Sequence, residues 1–535
     1  MNSIPPSRSV SLLALLLAGA VLLEGAKNDA PQAAIDLGSR RELFVDDHLV
    51  RKLGGRAERR LHHPEAKELV LTFDQPWEGN LSGSYASVFQ DGGLYRMYYT
   101  TYQYDPASEA KQSKVPPPHA LHTCYAESDD GIRWRKPELG LHEFRGSKRN
   151  NIVLVTEQVG EYIVNAGHVA VFKDENPAAP ADARYKAFIR IDILRPHRHF
   201  PTGLLALKSA DGLTFVRMSE KPVITSGGFD SQNLGFWDIA RGEYRAYWRY
   251  ATKGITNDNI WEPAGVRGVR TATSPDFVNW SAPVDLAYVD SPEEHLYTNQ
   301  IKPYHRAPHL LIGFPTRYVE RESPAMMEVL PDAAHRAVRA AANRRFGTAL
   351  TDGLVMTSRD GVTFQRWNEA FLRPGPERRN TWAYGDHFLA WHPVETAPAL
   401  PDAPRELSFY ATEGYWMGTA CALRRYTLRL DGFVSVQAPM AGGELLTRTV
   451  VFKGGKLSLN VSTSAAGSVR VELQDPSGRP LPGFALADCA EIFGDAVERT
   501  VSWKGGSDVG PLAGQPVRLR FELRDADLFS FQFRD

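Results

Sequence analysis

The sequence predicts an all-β protein, a five-bladed β-propeller followed by a C-terminal β-sandwich, on three observations. A turn phrase recurs along the chain, strand-like runs flank every copy, and past about residue 437 both composition and rhythm change. The phrase reads Ser128-Asp-Asp-Gly-Ile-Arg-Trp134, Ser209-Ala-Asp-Gly-Leu-Thr-Phe215, Ser274-Pro-Asp-Phe-Val-Asn-Trp280 and Ser358-Arg-Asp-Gly-Val-Thr-Phe364, with a fainter echo at Leu430-Asp-Gly-Phe433. Asp-Gly between β-patterned runs marks a hairpin, because Gly supplies the positive φ of a tight turn. Such hairpins also occur in sandwiches. The Ser two residues before the Asp and the aromatic three after the Gly position favour one recurring unit, as in propeller blades.

At the N-terminus, Arg8 and the apolar run 10–23 read as an export signal ending near residue 26, which directs the protein to the periplasm or the exterior. The next strand-like run, 42–50, begins or ends the ring. Each blade then parses as inner strand, second strand, third strand, Asp-Gly turn and outer strand. The expected inner strands are 84–91, 165–173, 232–239, 297–304 and 384–391, and their partners 94–101, 185–191, 243–250, 309–314 and 406–412. An insertion at 319–348 interrupts the fourth blade, where the helix-favouring, basic stretch 333–345 reads as a lid or rim. The propeller so defined spans 40–437. From 438 to 535, alternating runs such as 456–462, 468–474 and 517–523 read as a sandwich with its own core.

Composition narrows the function. A net charge of −1 offers no field for nucleic acid or for an anionic membrane once the signal is removed. The three cysteines, Cys124, Cys421 and Cys489, have no metal-ligand spacing and read as small buried residues, so neither metal nor cofactor is expected. Oligomeric state is not readable. Aromatic residues, at 10% of the chain, are ample for stacking on sugar rings.

Antiparallel alternation puts the Asp-Gly turns on one face of the disc and the starts of the inner strands on the other. Chemistry is therefore expected at the inner-strand starts. That face gathers the carboxylates Glu78, Asp230, Glu294 and Asp386, from which a general acid and a nucleophile or base would be drawn. Around them stand Tyr85, His168, Asn233, Gln300, Trp382, His387 and Glu413, expected to bind substrate, together with Asp258, Tyr297 and Tyr384. Amides and acids pair with sugar hydroxyls, aromatic faces take the apolar side of the ring, and two carboxyls do the acid and base work. The loop Arg195-Pro-His-Arg-His199 is either an exposed basic loop or a holder for an anionic substrate group.

The Ser-x-Asp-Gly-x-x-aromatic phrase in a five-bladed frame followed by a sandwich resembles exported bacterial proteins similar to glycoside hydrolase family 32, and more loosely families 43 and 130. The resemblance runs from about Arg41 to the C-terminus and implies a carbohydrate substrate. The Trp-x-Asn-Asp-Pro, Arg-Asp-Pro and Glu-Cys motifs of family 32 are absent, and the first blade offers Trp77-Glu-Gly-Asn80 instead, so no catalytic residue transfers. Sialidase Asp boxes are also blade hairpins, but carry one more residue between Asp and Gly. The expectation is a secreted glycoside hydrolase-like protein acting on a poly- or oligosaccharide. The alternatives are a non-catalytic carbohydrate-binding propeller and a protein-interaction scaffold.

Overall fold

A computed structural model describes residues 33–103, 119–160, 162–195, 198–257, 260–322, 325–417 and 420–535. The expected export segment 1–26, His197 and Asp258 lie outside them. The chain is all-β. Five sheets follow one another in sequence, built on strands that are buried on both faces and so read as near-continuous apolar runs. The first contains Ser87–Asp91, Leu94–Thr101, His122–Ser128 and Ile152–Val155. The second is centred on Tyr162–Lys173, Tyr185–Arg195 and Arg198–Ser209, and the third on Leu234–Asp238, Glu243–Thr256 and Trp261–Ser274. The fourth holds Lys302–Tyr304, Ala307–Gly313, Met356–Ser358 and Thr363–Arg366. The fifth holds Val394–Thr396, Glu406–Glu413 and Ala422–Arg429, and its outermost strand is Glu65–Thr72 from the N-terminal side.

Four of the five expected inner strands are shorter than the sequence suggests; the first keeps Ser87–Asp91 and the third Leu234–Asp238, and the other two lose more. Regular pairing in the fourth sheet begins only at Lys302, after Gln300 takes a positive φ of 46°. Residues 384–391 make isolated bridges, Leu389 to Ala411 and Trp391 to Ser87, because Gly385 and His387 both take positive φ and break the ladder.

Cores shared between neighbours close these sheets into a cycle. Phe89 and Tyr98 of the first pack with Val171 and Tyr185 of the second. Phe188, Phe236, Tyr247 and Met356 join the second, third and fourth. Ile312 and Phe314 meet Leu407 and Phe409 of the fifth. Leu71, Tyr410 and Val394 meet Met97 and Tyr99 of the first.

The repeated phrase has one geometry in all four copies. The Ser hydroxyl accepts the backbone N–H three residues on, and the Asp Oδ1 accepts two further N–H groups at 2.7–2.9 Å. Gly131, Gly212 and Gly361 hold φ of 73–83°, and in the third copy Phe277 holds 69° and buries its ring instead. The glycine carbonyls also accept a phenol from the preceding sheet: Tyr98 on Gly212 at 2.8 Å, Tyr247 on Gly361 at 2.7 Å, and Tyr410 on Gly131. The turn thus fastens neighbouring sheets as well as reversing the chain.

The expected boundaries at residues 40 and 437 shift. Glu42–Leu43, Val50–Gly55 and Glu58–Leu61 do not join the ring. They pair with strands Arg518–Arg534, Gly443–Thr447 and Val434–Ala438 in an eight-stranded sheet. Two long strands, Lys456–Gln474 and Arg518–Arg534, run through that unit with a register break at Thr463/Ser468, around a core including Leu459, Val471, Phe521 and Phe531. The weak echo of the phrase is the junction. Asp431, fully buried, accepts hydrogen bonds from Tyr304 at 2.8 Å, Arg306 at 2.9 Å, Arg41 at 3.3 Å and Ser530 at 2.8 Å.

Candidate functional site

At the inner-strand starts lies a partly open cavity of about 240 Å³, lined by Thr100 and His168 from strands and otherwise by residues of the loops beside the sheets and of the insertion. Its walls are aromatic: Tyr85, Tyr102, Tyr297, Phe346, Tyr384, Tyr415 and Trp416, with Leu81 and Leu121. The polar groups facing it are Asp230, His168, Arg345, Ser84 and Thr100.

Local sequence explains how these side chains are placed. Gly227 and Gly228 let the loop before Asp230 press onto the second strand of the third sheet, where Gly228 N–H donates to the Arg249 carbonyl at 2.6 Å. A Cβ on Gly227 would lie 2.4 Å from the Trp248 ring, so a larger residue would push the loop away. The Asn233 amide then closes the turn by donating to the Phe229 and Ser231 carbonyls at 3.1 and 2.8 Å. Ser231 donates in turn to the Tyr297 carbonyl at 2.7 Å, so Asp230 and Tyr297 are set in one frame. Below them a pair of amides spans the axis. Gln300 donates to Gln232 Oε1 and to the Leu389 carbonyl, and Gln232 donates to the Tyr85 carbonyl.

The insertion covers the cavity. Its basic helix, Ala333–Ala342, turns its arginines inward. Arg339 donates to the Tyr384 carbonyl at 2.9 Å and Arg336 to the Thr381 carbonyl at 3.2 Å, which fastens the lid to the loops beneath. The short helix Arg344–Thr348 then delivers Arg345 and Phe346 to the cavity wall.

Asp230 is the one carboxylate among the described lining residues. Burial pushes its pKa up, but the Arg249 guanidinium paired with it, with Arg190 and His168 nearby, brings it down to about 2. It is therefore an anion near neutral pH. His168 is held to about 3 by burial and by Arg190, so its imidazole is neutral. The Tyr297 and Tyr384 hydroxyls are 2.7 Å apart. Burial raises both phenols. At Tyr297, Arg249 and Arg345 outweigh it and the hydroxyl is more acidic than an ordinary phenol, whereas Tyr384 is held well above. Among the described residues no group of three or more His, Cys, Asp or Glu side chains could hold a metal ion.

The expected site residues divide. Tyr85, His168 and Asp230 line the cavity, while Asn233 and Gln300 support it from the turn and the axis. The remaining carboxylates are engaged elsewhere. Glu78 accepts from Tyr99 at 2.7 Å and pairs with Lys136 at 2.7 Å. Glu294 lies between Arg317 at 3.3 Å and Arg366 at 3.0 Å. Glu413 is clamped by Arg378 at 2.6 Å on each oxygen and by Arg424, and despite burial stays ionised down to about 2. Each sits where a neighbouring cation neutralises it, so none reaches the cavity. Asp386 is buried behind the wall and accepts the Tyr415 and Ala383 N–H groups at 3.0 and 3.2 Å, and burial raises it to about 7. Trp382 donates outward to the Gly375 carbonyl and His387 is buried, so neither lines the cavity. In the 195–199 loop no side chain is described. Arg345 enters the sequence expectation only as the end of the inserted basic stretch and Arg249 only within a second strand, and Tyr297 and Tyr384 appear there only as positions on the face.

No protein-family model matches the chain, and no curated protein does. Similar solved structures include a family 32 β-fructofuranosidase from Bombyx mori, at 10% identity and a TM-score of 0.38, spanning 87% of this chain and 94% of that one. An α-L-arabinofuranosidase from Fusarium graminearum gives 10% and 0.38, over 69% and 98%. An N-acetylgalactosamine deacetylase from F. plautii gives 11% and 0.39, over 86% and 94%. At identities of this size the chemistry has to be read from the cavity itself.

Proposed function

We propose that the chain is an exported glycoside hydrolase-like protein whose five sheets are the blades of a propeller, with the eight-stranded unit as an attached sandwich, and that it acts in the axial cavity. The carrying observation is an ionised carboxylate, Asp230, held against a guanidinium at a partly open, aromatic-walled cavity. A chamber of about 240 Å³ is below the ~300–1,000 Å³ of most small-molecule sites, so it takes a single sugar ring at a chain end. The aromatic wall supplies the apolar surface that the ring's apolar side would pack on.

Asp230 cannot be the proton donor, because it is already ionised; it is the base or nucleophile of the pair. Tyr297, on the cavity wall with its hydroxyl 2.7 Å from that of Tyr384 and its proton loosened by Arg249 and Arg345, is the candidate donor to the leaving oxygen. Screening turnover on a panel of oligosaccharides tests this. Asp230→Asn is expected to lose about 10²–10⁴-fold in rate with sugar binding retained, and Tyr297→Phe to lose a smaller factor. Wild-type turnover in Asp230→Asn would sink the assignment. One observation favours a non-catalytic carbohydrate-binding protein instead: Glu78, Glu294 and Glu413 are all neutralised within the fold, leaving one carboxylate at the cavity. Sugar binding by the wild type without any turnover would decide for that reading.

A further inference from the structure

The charges around the cavity do not cancel. Arg190 is matched by the fully buried Asp192 at 2.8 Å, and Arg249 by Asp230. Arg345 has no carboxylate paired directly with it: the groups facing its charge are the phenols of Tyr297, Tyr384 and Tyr318, the last hydrogen-bonded to it and donating in turn to Glu320 at 2.7 Å. Its guanidinium lies against the Phe346 ring at 4.6 Å and the Tyr384 ring at 5.5 Å, which occupies its faces and leaves its edge. On that edge Nη1 is buried without a hydrogen-bond partner in the structure. Arg249, 6% exposed, is in the same condition. Its Nη2 holds Asp230, its plane covers the Tyr297 ring at 5.1 Å, and its Nη1 is buried with no partner.

A buried guanidinium N–H without an acceptor is costly, and native structures rarely keep one unless something else fills the place. Two such groups, Arg345 on the cavity wall and Arg249 behind it against Asp230 and the Tyr297 ring, beside a neutral histidine, phenols and a single carboxylate already engaged, ask for an acceptor that carries negative charge. A neutral sugar hydroxyl could accept these N–H groups but would leave the charge unbalanced. A planar carboxylate or a sulfate ester accepts two and also balances the charge.

Resting on the reading of the cavity as a saccharide site, we propose that the ring it takes bears an anionic substituent, a carboxylate or sulfate, held by Arg345 with Arg249 beside it.

Calorimetry on the full chain separates the possibilities, using glucuronic acid against glucose, galacturonic acid against galactose, mannuronic acid against mannose, and galactose 6-sulfate against galactose. At least one acidic sugar is expected to bind about tenfold or more tightly than its neutral partner. Arg345→Gln should bring that ratio to within about threefold, Arg345→Lys should restore part of it, and a melting temperature close to wild type will show that both variants are folded. Equal or tighter binding of the neutral sugar in every pair, or a preference that survives Arg345→Gln in folded protein, overturns the inference while leaving the saccharide reading in place. Sodium sulfate binding as tightly as every acidic sugar overturns it too, by reducing the site to an adventitious ion only. Failure of all the sugars to bind removes the saccharide reading and the inference together.

Discussion

On one face of the ring, each turn satisfies its own polar groups: Ser and Asp side chains accept the exposed N–H groups, and a phenol from the preceding sheet caps three of the four. On the other face, Tyr85, His168, Gln300, Trp382, His387 and Trp416 all hold positive φ without being glycine. Polar atoms there are left buried and unpaired, among them Arg249 Nη1, Arg345 Nη1, Gln300 Oε1 and His387 Nδ1. Left-handed backbone at a non-glycine residue costs ~1–3 kcal/mol and persists only where the surroundings over-determine it. The contrast teaches where the fold keeps its stability and where it gives stability up. The repeated turns and the cores between sheets hold a scaffold rigid enough to keep an uncomfortable set of residues in place.

Three substitutions would break or sharpen that contrast. The largest effect is expected at Asp386, just behind the cavity wall. Burial raises its carboxyl to about 7 against Tyr415 N–H, Arg339 and Ala383 N–H, so the folded chain keeps a proton that the unfolded chain sheds. Its contribution is complete below the ordinary Asp value near 4 and is lost as pH climbs through 7, up to about 4 kcal/mol in all. The difference in urea-unfolding free energy between wild type and Asp386→Asn should therefore change by that order between pH 4 and 8, against the wild type at high pH. A constant difference would place Asp386 with the ordinary acids. Asp230 and Glu413 carry the opposite sign. Held near 2, they lose their contribution only on acidification below about 4.

Next in size is Gly212→Ala on the turn face. At φ 77°, with a Cβ only 2.7 Å from the Tyr98 hydroxyl, it should cost about 1–2 kcal/mol or more. Thermal melts should report the loss while sugar binding by the folded protein is unchanged. Weaker binding in step with the loss of stability would mean that the two faces are not independent. The smallest effect is Tyr98→Phe, which removes the bond to the Gly212 carbonyl and should cost about 0.5–1.5 kcal/mol. A melting point equal to wild type would reduce these phenols to core filling.

How much of this the sequence carries depends on the range of the interaction. The phrase is legible because its Ser, Asp and Gly bond within six residues of one another, and the second strands are legible because apolar runs bounded by turns are local patterns. Leu94–Thr101 falls on the residues that the pattern marks. Where strands must find distant partners, the reading fails: 42–50 belongs to the C-terminal unit, and it is Glu65–Thr72 that completes the fifth sheet. The site shows the same limit. Glu78, Glu294 and Glu413 have the chemistry expected of catalytic acids, and only the fold brings Lys136, Arg317 and Arg378 to cancel them. Nothing in the sequence marks Arg345 among its basic neighbours. The one available signal is its place at the end of the inserted helical stretch, two residues after Asn343 caps the next helix.

The junction at Asp431 bears on how the protein is made. Arg41 waits for a partner 390 residues further on, and the strands at 42–61 pair only with segments beyond residue 433. The ring likewise needs Glu65–Thr72 to lie beside Ala422–Arg429 before it is closed. Synthesis from the N-terminus therefore finishes neither unit until nearly the whole chain has emerged, and sheet edges stay open meanwhile. No single cut separates ring from C-terminal unit with both complete, so the two are one unit of biosynthesis.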